Sequence, residues 1–354
     1  MSTEHPLPRG FQAGNLPMAP DEVEPFLCQP DAGVLEDLRT VPGNVLVLGA
    51  GGKMGLHLCL MLQTALAALG RADRVLAVSR FTTLHAQDDF RRYGIQTQTC
   101  DLADRQQLAA LPDWPNVFFL AGAKFGTAAS PAMLEQMNVV VPQLVAERYR
   151  SARIVALSTG CVYSFVAPAS GGSTENDATE PVGDYAWSCL GREQAFTVAA
   201  RRYGSKVALI RLNYSTEFRY GVLVDICGKV LRGEPVNVSM GHVNVIWQRD
   251  AIAQIIRALP LASMGPLILN VTGDAVLSVR DLAHEFGRIL DLPVQFEGAE
   301  APTVWLSNSS QAQSLFGKPP TPLTDMLRWT AAWLRAGGAT YGKPTGFEKR
   351  DGKY

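Results

Sequence analysis

The feature that most constrains this chain is a short apolar run joined to a glycine-rich turn. Val45-Leu46-Val47-Leu48 is bounded by glycines, as expected of a strand buried on both faces. It runs directly into Gly49-Ala50-Gly51-Gly52-Lys53-Met54-Gly55, and residues 54–69 read as an apolar helix. Glycine at each third position permits a tight turn. It also lets an anionic group approach the helix N-terminus, where free N–H groups and the dipole favour negative charge. A strand buried on both faces needs parallel neighbours and helices above and below it.

Those neighbours are present. Residues 74–78, 116–120, 153–157 and 207–212 repeat the short apolar signature, and helical patterns such as 134–149 lie between them. The alternation predicts an α/β chain: a Rossmann-like doubly wound parallel sheet over residues 44–212. Residues 213–336 read as a smaller, mainly substrate-binding lobe, some of whose segments return to the sheet. Helices are expected there at 223–232, 251–259, 279–290 and 323–336, and short strands at 267–271 and 294–296. Residues 1–43 form a proline-rich extension whose one expected helix, 31–39, is capped by Asp31. Residues 337–354 are a polar tail, expected on the surface.

Composition removes several alternatives. With 47% hydrophobic and 18% charged residues the chain can bury a large core. Lys and Arg number 32 against 33 Asp and Glu, with no basic stripe, which argues against a nucleic-acid partner. The six cysteines form no CxxC pair and the five histidines no HxxxH pair, so neither a metal site nor a disulfide frame is expected. The longest apolar stretch, 56–69, is broken by polar residues and falls short of the about 20 residues a membrane span needs. No apolar run near the start resembles a signal-peptide core. A cytoplasmic protein is expected.

The glycine turn fits the pyrophosphate of a dinucleotide. The rival phosphate cradle, GxxxxGK[ST], fails because Met54 follows Gly52-Lys53 and Val47 stands where the first glycine belongs. The second strand ends Val78-Ser79-Arg80 with no carboxylate to bind ribose hydroxyls. Ser79 and Arg80 suit a 2′-phosphate instead. NADP is favoured, with NAD possible.

Over residues 44–335 the chain resembles the extended short-chain dehydrogenase/reductase superfamily, in its NAD-dependent epimerase/dehydratase group. Gly49, Gly52 and Gly55 make its GxxGxxG, with Gly51, Lys53 and Met54 in the same turn. Asp101-Leu102 matches the adenine-facing Asp after the third strand. Leu120-Ala121-Gly122-Ala123-Lys124 resembles the fourth-strand segment whose Lys contacts the cofactor, and Asn138 falls where the family carries a helix Asn. Ser158-Thr159-Gly160-Cys161-Val162-Tyr163 resembles the S-[ST]-x-x-V-Y motif, which gives Thr159 the role of holding the reacting oxygen. Arg211-Leu212-Asn213 resembles the segment that leads from the sixth strand into the substrate cleft. The resemblance implies a homodimer and hydride transfer on a sugar, sugar acid or nucleotide-sugar, with Tyr185 as acid/base.

One departure matters. The family signature is YxxxK, and here Tyr185-Ala186-Trp187-Ser188-Cys189 ends in Cys. Tyrosine with an ordinary pKa near 10 is only ~0.1% phenolate at pH 7. A cation ~4 Å away at an effective dielectric of ~20 is worth up to ~4 kcal/mol, or ~3 pH units of phenol acidity. Three readings follow: another cation substitutes (Lys124, Arg192 or Arg211), Tyr185 serves mainly as a proton donor, or the protein binds cofactor without turnover as a sensor. Cys189 reads as small apolar filler, because no His neighbours it in sequence. The dehydratase reading is disfavoured, since Gly160 and Cys161 follow Thr159 where dehydratases carry Asp-Glu. Asn213 and Arg219 after the sixth strand, and His242, Asn244 and Trp247 further on, are the candidate substrate contacts.

Overall fold

The structure, a computed structural model, describes residues 20–123 and 130–352. Its centre is a seven-stranded sheet: β1 (Val45–Leu48), β2 (Val75–Ser79), β3 (Gln96–Thr99), β4 (Asn116–Phe119), β5 (Arg153–Thr159), β6 (Lys206–Leu212) and a seventh strand, Leu267–Val271. The order across the sheet is β3, β2, β1, β4, β5, β6 and the seventh strand, with every pairing parallel. β1 and β4 are buried along their whole length because helices cover both faces. The chain reverses its winding between β1 and β4, so a crevice opens at the carboxyl ends of these strands.

The seventh strand comes from the second half of the chain and pairs with β6, Val271 opposite Leu212. The lobe is therefore stitched to the sheet rather than appended to it. Its expected helices form at Val222–Arg232, Gln248–Arg257, Val279–Leu290 and Leu323–Arg335. They enclose an aromatic core in which Trp247 packs on Phe218 at 5.1 Å and on Trp329 at 5.3 Å between ring centroids.

Helix α2 (Ala32–Arg39) begins as expected, with the Asp31 carboxylate accepting from the Val34 N–H at 2.7 Å. A second helix in the arm, α1 (Pro20–Leu27), was masked in the sequence by its prolines and carries Pro25 inside. Its Phe26 joins the lobe's aromatic core, 5.3 Å from Trp329. The tail departs further from expectation. Thr345 and Phe347 are buried, and the segment lies against the lobe instead of hanging on the surface. No helix among the described residues is long and apolar enough to cross a membrane.

Candidate active site

Five strand ends converge on one cleft of about 380 Å³. β1 contributes Gly49, Gly52, Lys53, Met54 and Gly55, and β2 contributes Ser79 and Arg80. Cys100, Asp101 and Leu102 follow β3, Leu120, Ala121 and Gly122 follow β4, and Leu157 and Ser158 come from β5. Tyr185 and Arg192 enter from the long helix Asp184–Tyr203.

The glycines of the turn answer to different demands. Gly49 has φ +83°, and a Cβ there would lie 2.4 Å from the Ala121 nitrogen. A Cβ on Gly55 would lie 2.1 Å from the Ala50 oxygen, so both are required by the chain's own packing. Gly52 is different: a Cβ would meet only the Gly49 oxygen, at an ordinary 3.6 Å. Nothing within the chain demands glycine there, which is what a backbone kept bare for an external group looks like. Helix α3 (Gly55–Ala68) starts just behind it with no side-chain cap; the Gly55 N–H turns back to the Gly52 carbonyl at 3.3 Å, and the N–H groups of the rest of the first turn are left without a side-chain partner. The residues present therefore fit a dinucleotide diphosphate. Gly51 does not line the cleft. Its carbonyl takes the Thr83 hydroxyl at 2.6 Å and the Leu84 and His85 N–H groups, tying the turn to the loop after β2.

At the other end, Arg80 and Asp101 approach to 3.9 Å with both side chains well exposed. A pair so hydrated is weak, and Arg80 is free to turn to a ligand phosphate.

Arg192 sits beside Tyr185 in the cleft wall. Its guanidinium donates to the Leu157 carbonyl at 2.8 Å and to Asn138 Oδ1. Gly122 makes room for it, since a Cβ there would lie 2.3 Å from Arg192 Nη2. Asn138 belongs to a π-helical segment, Gln136–Val140, and is fully buried. It holds Ala123 through two hydrogen bonds of 3.0 Å and donates to Ser188 Oγ at 2.8 Å. Asn138, expected to bind cofactor, is thus a positioning residue: it fixes Arg192 and the Ala123 backbone rather than lining the cleft. Insertions of this kind in helices re-aim side chains at functional sites.

Arg211 does not stand there. Arg211 donates to both Glu193 oxygens, at 3.0 and 2.8 Å, and to the Tyr163 hydroxyl at 2.7 Å. Burial opposes its charge, but the Glu193 carboxylate outweighs it, so Arg211 stays protonated and spent. Lys124 lies outside the described residues.

Tyr185 is partly exposed at the cleft. Burial raises its phenol well above the usual tyrosine range, Cys189 and Cys161 push the same way, and only Arg192 opposes them. Cys189 is wholly buried with Val162 and Tyr163, and burial also raises its thiol. Filler it is, and no thiolate nucleophile.

Thr159 closes β5 opposite Leu212, and its Oγ1 accepts the Cys161 N–H at 3.2 Å. Leu212 packs on the core instead of lining the cleft. Next to it Asn213 is buried, and its Nδ2 has no acceptor among the described residues. Asn213 is not among the residues lining the cleft, but an unspent buried donor next to β6 calls for a partner.

The remaining substrate candidates are corrected by the structure. Trp247 is 1% exposed in the aromatic core and cannot wall a sugar. Asn244 spends its amide on the Ala275 carbonyl and the Ser307 N–H. His242 lies in a two-residue ribbon against Leu277–Ser278, away from the cleft lining. Arg219 is drawn into a buried network with Glu24 at 2.6 Å, Glu217 at 3.2 Å and the His57 ring at 3.2 Å. There it pins helix α1 to α3.

The family model for NAD-dependent epimerases and dehydratases matches residues 45–240, more than half of the chain. The chain belongs to the NAD-dependent epimerase/dehydratase family. It is therefore an enzyme of a family defined by its use of NAD. Similar solved structures include UDP-glucuronic acid 4-epimerase from Bacillus cereus in complex with NAD, at 19% identity over 82% of this chain and 98% of that one, TM-score 0.69. The dTDP-glucose 4,6-dehydratase DesIV from Streptomyces venezuelae, with NAD bound, gives 20% identity, 82% and 97% coverage and TM-score 0.69. UDP-glucose 4-epimerase from Thermus thermophilus, also with NAD, gives 19%, 82% and 99% with TM-score 0.68. At such identities the likeness is one of fold. A sequence search of curated proteins finds no match.

Proposed function

We propose that this enzyme transfers hydride between a nicotinamide dinucleotide and a hydroxyl or keto carbon of a sugar-like substrate, with Tyr185 giving or taking the proton. The observation that carries the reading is Arg192 beside Tyr185 in the cleft that begins at Gly52. The bare Gly52 backbone and the first N–H groups of α3 hold the diphosphate; Leu102, Leu120 and Ala121 supply apolar walls. When bound, the coenzyme supplies the hydride acceptor or donor.

The chain's own residues handle the proton. A phenol held protonated by burial is poised to donate to a developing alkoxide, so the reducing direction suits Tyr185 best. Arg192 places positive charge where a phenolate forms as that proton leaves, partly filling the place of the missing ammonium. Thr159 orients the reacting oxygen, and the unspent Asn213 amide binds a substrate hydroxyl. This favours an oxidoreductase or epimerase over a cofactor sensor without turnover, for which no observation speaks.

The finer choice of coenzyme is NADP, through Ser79 and Arg80, although the three relatives above hold NAD. A homodimer is proposed as well. Trp187, Val198 and Met133 expose 59%, 57% and 49% of their surface on the paired helices Asp184–Tyr203 and Pro131–Glu135, a face suited to a second copy. Sedimentation as a monomer would contradict that. For the chemistry, Tyr185→Phe should cut turnover of a keto-sugar panel by about 1000-fold while leaving coenzyme affinity within about twofold. Unchanged turnover sinks the assignment.

A further inference from the structure

The C-terminal segment, which carries no recognisable motif, is fixed to the rest of the chain at several points. Before it, the Trp333 indole donates to the Ala339 carbonyl at 3.0 Å. Tyr341 donates its N–H to the Arg219 carbonyl at 3.0 Å, and its ring lies 4.9 Å beneath the Arg219 guanidinium. Four residues on, Thr345 donates both its N–H and its hydroxyl to Asp225, at 2.7 and 2.6 Å. Phe347 is buried. Arg350 stacks 4.2 Å over the Phe165 ring and donates to Thr303 Oγ1 at 3.0 Å. Gly352 crosses Gly183, two residues before Tyr185, so closely that a Cβ on Gly352 would lie 2.3 Å from the Val182 oxygen.

Between the anchors at 341 and 345 the backbone has little freedom, and it presents Lys343 to the cleft that holds Gly52, Arg80 and Tyr185. The Lys343 side chain is exposed and is not consumed by packing. A flexible ammonium on a pinned backbone, lining the same cleft as the glycine turn at the start of α3, is a device for holding an anion.

We propose that Lys343, held at the coenzyme cleft by the pinned segment Tyr341–Gly352, binds the coenzyme's anionic groups. This rests on the dinucleotide reading of the cleft given above. Because Lys343 is exposed, replacing it leaves the core packing alone.

Calorimetric titration of the full-length protein with NADP and NAD tests the proposal. Lys343→Ala should weaken the better-bound coenzyme about tenfold, Lys343→Glu more, and Lys343→Arg should restore most of the loss. Wild-type, Lys343→Ala and Lys343→Glu proteins binding equally would overturn the role of Lys343 while leaving the cleft assignment standing. Wild-type protein that binds neither coenzyme would overturn the cleft assignment, and this inference with it.

Discussion

The two short motifs that meet in the cleft differ in what they tolerate. The Gly49–Gly55 turn keeps every residue its geometry needs, whereas the Tyr185–Cys189 turn carries Cys189 where the YxxxK signature discussed above would have a lysine. A dinucleotide cradle is made of backbone: at Gly52 any side chain would occupy the space a ligand needs, and no distant residue can give that space back. An acid/base site is made of field. A positive charge can arrive from Arg192, three residues past Cys189 on the same helix, provided Asn138 and Gly122 shape its seat. Steric requirements are local in sequence, and electrostatic ones are local only in space.

The largest expected effect that sharpens this contrast is on the tyrosine side. Arg192→Ala should lower turnover by about a hundredfold, with the alkaline limb of the pH–rate profile moving upward and coenzyme affinity nearly kept. Arg192→Lys should recover part of it. A profile that does not move would show that Tyr185 works without this charge. A smaller effect is expected where the cradle meets the far end of the coenzyme. Arg80→Ala should reduce the preference for NADP over NAD by about tenfold, read as the ratio of two dissociation constants. An unchanged ratio removes Arg80 from the choice.

A separate effect, on stability and not on turnover or affinity, concerns how the two motifs are held from behind. The glycine turn rests on buried titratable groups. Burial, with His57 and Arg219 nearby, depresses His85 to about 4. Burial opposes the charge on Glu24, but the His57 hydrogen bond and Arg219 outweigh it and hold the carboxyl at about 2. Both groups bind protons more readily when unfolded. Stability is therefore full above about pH 6.5, falls as His85 is forced to protonate between about 6.5 and 4, and falls again below about 4.5 through Glu24. The His85 part is at most on the order of 3 kcal/mol. Thermal melts should drop across this acid range, and His85→Phe should flatten the upper step. A melt independent of pH from 7 to 4 would contradict it.

Much of the coenzyme half was legible in the sequence, because buried parallel strands and glycine turns are written in consecutive residues. The seventh strand was placed at its observed bounds, and Asp31 was read correctly as a cap. β3 left no apolar signature: Gln96–Thr99 is an edge strand with polar, partly exposed residues. The substrate half was harder to read. Trp247 and Arg219 have side chains suited to binding sugars, but in the fold one fills an aromatic core and the other balances Glu24 and Glu217. Lys343 could not have been found, because its relation to the cleft is made by anchors to Arg219 and Asp225 more than a hundred residues away.

The cleft's identity is tested most directly by titrating wild-type protein, first shown to carry no coenzyme, and Gly52→Val with NADP and NAD in a calorimeter. The wild type should bind at least one of them. Gly52→Val should lose at least about a hundredfold in affinity while melting within about 2 °C of the wild type, since a Cβ there makes only an ordinary 3.6 Å contact with the Gly49 oxygen. Equal affinity in the two proteins would mean that the glycine turn holds no diphosphate.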